Sequence, residues 1–213
     1  DGAVVVEAGQ RGEALGGDVG GVAHRDEGVG VGRVAGHGDA DVVGGHLVEC
    51  LALGSEDAAV LMVHAVASIL IGHPERGLKD LASPAIGNGY DSQLWKGFAL
   101  ARQEKWADAR EKFKNAEFSI AALPLELQRI VTADAMRASL EVKDYAGASR
   151  RRSELEVIGI PAEMKPEIAV LRGRLAEALG HEKDALDAYR LAANSHDRQA
   201  SAQAMLLRSL LRF

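Results

Sequence analysis

Two triplets with identical spacing, Ala109–Phe113–Ala116 and Ala185–Tyr189–Ala192, constrain this chain more than any other feature. Small, large and small side chains four and then three residues apart share one helical face. The small residues let a neighbouring helix approach closely, and the ring between them fills the groove that results. Around the first triplet, Trp95 to Ala116 reads as two short amphipathic helices joined by a tight turn. Gly97, Ala109 and Ala116 sit where the helices must touch, with Leu100, Trp106 and Phe113 one turn away. Only 4% of the chain is aromatic, so its core must be built largely from Ala, Leu, Val and Ile. That composition suits helices packed through small side chains.

From Glu56 onward the same hairpin can be laid down four times. The clearest copy runs from Tyr90 to about Leu123, with Gln93, Leu94, Gly97 and Leu100 on its first helix. A later copy starts near Pro166, with Gly173 in place of Gly97 and a Gly180-His181 turn. Between them, Pro124 is expected to start a helix through Leu127, Ile130, Ala133, Met136 and Leu140. Asp144 then caps a second helix with Tyr145, Ala148 and Leu155 on one face. The first copy is Val60 to Leu70, a Gly72-His73 turn, and Pro74 to Leu81. The equivalent small residues Gly77, Ala109, Ala148 and Ala185 are 32, 39 and 37 apart.

These residues resemble a tetratricopeptide repeat, whose period is about 34 residues. The family pattern has Trp, Leu-Gly and Tyr in the first helix and Ala, Phe, Ala and Pro in the second. Its Trp position is Gln93 or Ala169 in this chain. The resemblance covers roughly residues 57 to 194 and implies an all-α solenoid, a right-handed superhelix of stacked hairpins. It also implies that first helices line a concave binding face. The positions facing that groove would be Met62, Val66, Leu94, Phe98, Arg102, Ala133, Arg137, Glu141, Val170, Arg174 and Glu177. Leu94, Ala133 and Val170 stand where the family's carboxylate-binding peptide clamp has Lys and Asn. The expected surface is therefore an apolar strip flanked by Arg102, Arg137 and Arg174, suited to a peptide or helix with apolar anchors and acidic residues. The bland reading beside it is that some of these side chains pack against the next repeat.

Residues 1–55 have a different character. Fifteen of the 24 glycines fall within the first 54 positions, which lack Lys, Ile, Met, Thr, Asn, Pro, Ser and aromatic residues. Glycine at this density weakens helices and strands alike, so a disordered, poorly structured segment is expected. The same bias toward codons beginning with G or C also fits a mis-framed extension of a GC-rich gene, with an authentic low-complexity linker as the other reading. The repeat domain is assigned to residues 56–213. Its last helix, from Asp197, has Ala200, Ala204, Leu207 and Leu211 on one face and apolar Met205, Leu206, Leu210 and Phe213 besides. A solenoid end needs a polar cap, so the natural protein is expected to continue with further repeats.

Nothing in the chain carries a catalytic arrangement. Gly28 to Gly32 imitates a phosphate loop without the following Gly-Lys-Ser/Thr. Residues 36–41 resemble a calcium-binding turn without its repetition. His24, His37 and His46 fit no zinc spacing. Ser195, His196 and Asp197 are contiguous, unlike a triad assembled in space, and read as a loop with a helix cap. His181 and Glu182 lie in an exposed turn. Trp106 is expected in the core, with Trp95 less defined. Arg150, Arg151 and Arg152 precede Glu154 and Glu156 and read as a solvated face with local ion pairs. No carboxylate is expected to have a shifted pKa, and no cofactor or metal is expected.

A net charge of −6 argues against a nucleic-acid partner. The single cysteine, Cys50, excludes an internal disulfide. No stretch is apolar and long enough for direct membrane insertion, and the cellular location is left open between cytoplasm and periplasm. The expected function is a non-catalytic scaffold for a protein or peptide partner, with self-association through apolar ends also expected. Two further readings are a structural segment of a larger envelope-associated repeat protein and a regulatory domain of a larger enzyme or transcriptional regulator.

Overall fold

The computed structural model describes residues 57–211; the Gly-rich segment and Phe213 lie outside them. Over the described residues the chain is all-helical, with ten helices and no strand. They are α1 (Ala58–Leu70), α2 (Pro74–Leu81), α3 (Tyr90–Arg102), α4 (Trp106–Lys114), α5 (Glu117–Ala121), α6 (Leu125–Glu141), α7 (Tyr145–Ile158), α8 (Lys165–Ala178), α9 (Glu182–Ala193) and α10 (Arg198–Leu210). Four antiparallel pairs follow one another: α1 with α2, α3 with α4, α6 with α7, and α8 with α9. The short α5 packs on α3 and α6, and α10 closes the described chain against α8 and α9.

The four hairpins turn in the same way. Gly72, Glu104, Lys143 and Gly180 each adopt a positive φ, of 93°, 58°, 62° and 78°. Their spacings are again 32, 39 and 37, matching Gly77, Ala109, Ala148 and Ala185. The next residue donates its backbone N–H five positions back: His73 to Ser68, Lys105 to Leu100, Asp144 to Ser139 and His181 to Ala176, at 2.8–3.0 Å. This is the Schellman closure, which satisfies a carbonyl that the helix end would leave open. The second helix of each pair then begins at once, at Pro74, Trp106, Tyr145 or Glu182. Glycine accepts this backbone freely, whereas Glu104 and Lys143 hold it against their Cβ.

The small and large residues interlock as the spacing requires. Ala109, Phe113 and Ala116 are buried, as are Ala185, Tyr189 and Ala192. A Cβ placed on Gly97 would meet Phe113 Cδ1 at 3.1 Å, and one on Gly173 would overlap the Tyr189 ring. The third hairpin solves the same problem in reverse. Met136 stands where Gly97 and Gly173 do and is fully buried. Arg152 holds the ring position and turns to solvent, its side chain 43% exposed. In the first hairpin Gly77 admits Ile69, and a Cβ there would fall 2.8 Å from the Ala65 carbonyl.

One expectation about a helix end needs correction. Pro124 is the N-cap of α6, with ψ 143°, and the helix begins at Leu125. Helix α5, five residues between the second and third hairpins, accounts for the longer 39-residue Ala109–Ala148 interval. On α10 the expected face holds, with Ala200 and Ala204 buried and Met205, Leu206 and Leu210 exposed.

Candidate functional site

The first helices also touch one another in order, α1 to α3, α3 to α6, α6 to α8 and α8 to α10. No comparable row joins α2, α4, α7 and α9. This row decides the fate of the residues expected to line a groove. Leu94 and Phe98 are each 1% exposed, Ala133 2% and Val170 3%. Met62 and Val66 are partly buried against the same core as Leu94. The expected apolar strip is therefore not a surface. These side chains supply contacts between hairpins, where removing apolar surface from water favours close helix packing. Trp95 is likewise core, edge-on to Phe98 at 5.9 Å between centroids.

The charged members of the expected site do come together, as pairs that cross between hairpins. Arg102 at the end of α3 places Nε 3.0 Å from Asp134 Oδ2 on α6. Its guanidinium also lies over the Phe98 ring, 4.8 Å from the centroid. On α6, Arg137 contacts Asp134 at 3.1 Å and donates to Glu167 on α8. Arg174 on α8 returns the contact, donating to Glu141 on α6 at 2.7 Å. Glu177 accepts the Tyr189 hydroxyl at 2.8 Å. Burial and the Glu177 charge push that phenol above its usual range. Arg137 uses both terminal nitrogens in these pairs, whereas Arg102 engages through Nε alone and Arg174 through Nη1 alone.

Asp134 is the buried centre of this ladder, with a side chain 5% exposed. Burial raises its pKa above the ordinary carboxylate range, outweighing the pull of Arg102 and Arg137, while Glu167 adds to the rise. Oδ1 accepts from Arg137. Oδ2 receives no well-aligned hydrogen bond even though Arg102 is beside it. The expectation that no carboxylate has a shifted pKa is thus overturned. Asp134 sits between Ala133 and Ala135 on a helix face that the row of first helices covers.

Above the ladder lies a polar groove of about 590 Å³. It is lined by Arg102, Arg137, Glu141, Glu167 and Arg174, by Asp197 at the α10 N-cap with Gln199 and Gln203 of α10, and by Glu104 and Trp106. Trp106 is only partly buried, packing on the core while opening onto the groove. Sequence reasoning missed Glu104, Glu167 and the α10 residues. No spacing rule connects the exposed face of a last helix with a turn nearly a hundred positions earlier.

The arginine run is also different from its expected form. Arg151 is buried and pairs with Glu117 of α5 at 3.1 Å and with Glu154 at 2.7 Å. Arg150 joins the same Glu117. The local pairs expected of the run are present, Arg151 with Glu154 and Arg152 with Glu156. Arg150 is exposed and Arg152 partly so, but Arg151 is buried and with Arg150 also clasps α5 to α7. Nearby, Asp144 caps α7 by accepting from Gly147 N–H at 2.9 Å and takes Arg110 of α4 as its ion partner. The Gly147 hydrogen bond, helped by Arg110, holds its carboxyl below the usual range despite partial burial.

Among the described residues no helix is long and apolar enough to cross a membrane. Comparison with protein-family models, curated proteins and solved structures finds no significant match.

Proposed function

We propose that the chain is a helical-repeat scaffold of the tetratricopeptide type whose polar groove binds a segment of a protein partner. The repeated Schellman turns and the ordered row of first helices support the repeat reading. The observation that carries the binding reading is the convergence of α3, α6, α8 and α10 on one groove of about 590 Å³. That volume lies in the range of small-ligand and side-chain pockets. Its lining is fixed by inter-hairpin ion pairs, so little ordering remains to be done on binding.

Selection from a random peptide display library tests this. Gln203 is exposed on α10 and makes no polar contact within the fold, so Gln203→Trp fills the groove without disturbing a pair. Selected peptides are expected to lose binding to Gln203→Trp. A selection yielding only peptides indifferent to that change contradicts the reading.

A second reading, self-association, draws on the exposed Met205, Leu206 and Leu210 of α10. Sedimentation across a concentration series tests it; a species independent of concentration would count against it.

A further inference from the structure

The charges lining the groove do not cancel. The lining holds three arginines, Arg102, Arg137 and Arg174, and four carboxylates, Glu104, Glu141, Glu167 and Asp197. Glu167 pairs with Arg137, Glu141 with Arg174, and Arg102 with the buried Asp134. Glu104 and Asp197 remain over. Glu104 is exposed at the left-handed turn after α3 and forms no ion pair with another described residue. Asp197 accepts the Gln199 and Ala200 N–H groups, which no full positive charge accompanies.

Glu141 and Glu167 each engage an arginine through Oε1 alone, leaving Oε2 available to accept. A carboxylate arriving in the groove could reach the remaining nitrogens of Arg102 and Arg174 but would add to the surplus of negative charge. An ammonium or guanidinium group instead meets the free Oε2 atoms and finds Glu104 unopposed.

We infer that the groove takes a cationic segment of a protein partner, one presenting Lys or Arg side chains, and discriminates against acidic segments. This rests on the groove being the binding surface, and the test separates the two ideas. Fluorescein-labelled peptides of equal length, one of alternating Lys/Arg and Ser, the other of alternating Glu/Asp and Ser, are titrated against the full chain by anisotropy. The basic peptide is expected to bind more tightly, to weaken with added salt, and to lose binding to Gln203→Trp. Gln203→Lys is expected to weaken it about fivefold and Gln203→Glu to strengthen it by a similar factor, as one partly exposed charge contact would. Preference for the acidic peptide, still lost in Gln203→Trp, would keep the groove and overturn the charge assignment. Binding of either peptide that ignores all three variants would place it elsewhere on this acidic chain, and no binding at all would remove both ideas.

Discussion

The Tyr189 ring packs directly on Gly173, and its hydroxyl donates to Glu177, on the same helix as the glycine, at 2.8 Å. Ring and helix are thus pinned at both ends, with no space for a methyl group between them. Gly173→Ala is expected to cost about 1–2 kcal/mol: overpacking of roughly 1–3 kcal/mol, offset in part by better helix propensity. A Cβ on Gly97 would stand 3.1 Å from both Lys112 Cβ and Phe113 Cδ1, a milder approach, to a ring with no hydroxyl anchor. Gly97→Ala is expected to be near neutral. Chemical denaturation of both variants checks the ranking.

Lys143 occupies the left-handed turn that Gly72 and Gly180 occupy in the outer hairpins. Lys143→Gly is expected to stabilise by about 0.5–1 kcal/mol. Relief of a Cβ clash worth roughly 1–2 kcal/mol exceeds the extra chain entropy of glycine. A rise in Tm checks this.

Asp134 binds its proton more tightly folded than unfolded, because burial raises its carboxyl pKa. The native state therefore carries more protons than the unfolded state between the ordinary carboxylate pKa and the raised one. Stability falls as pH rises through that window. Asp134→Asn is expected to flatten this part of the profile, measured as unfolding free energy from acidic to neutral pH.

Asp144 has the opposite sign. Its folded carboxyl is depressed, so its contribution is present above the ordinary carboxylate pKa and disappears as pH falls through the folded value. Asp144→Ala removes the α7 cap and is expected to cost about 1–2 kcal/mol at neutral pH. The cost is expected to shrink in acid.

The packing was legible where helix geometry forces residues to share a face. Ala109, Phe113 and Ala116 had to be neighbours, and Tyr189 had to meet whatever stood at Gly173. The turns were half legible: Gly72 and Gly180 announce a left-handed backbone, while Glu104 and Lys143 carry no such mark. The groove was least legible. Leu94 and Phe98 were assigned to a surface because the repeat analogy gives a helix face without saying how closely the next helix approaches it. Asp134 was overlooked because an acid between two alanines looks ordinary until α3 and α8 pack on either side. Gln199 and Gln203 belong to the site through tertiary approach alone.

Backbone amide NMR of the full chain, titrated with the tightest peptide from the display selection, tests the central claim most directly. The account predicts that shifts concentrate on the groove residues of α3, α6, α8 and α10, with Arg102, Arg137, Arg174 and Gln203 among them. Shifts confined to the outer helices α4, α7 and α9, with the groove unchanged, would contradict it.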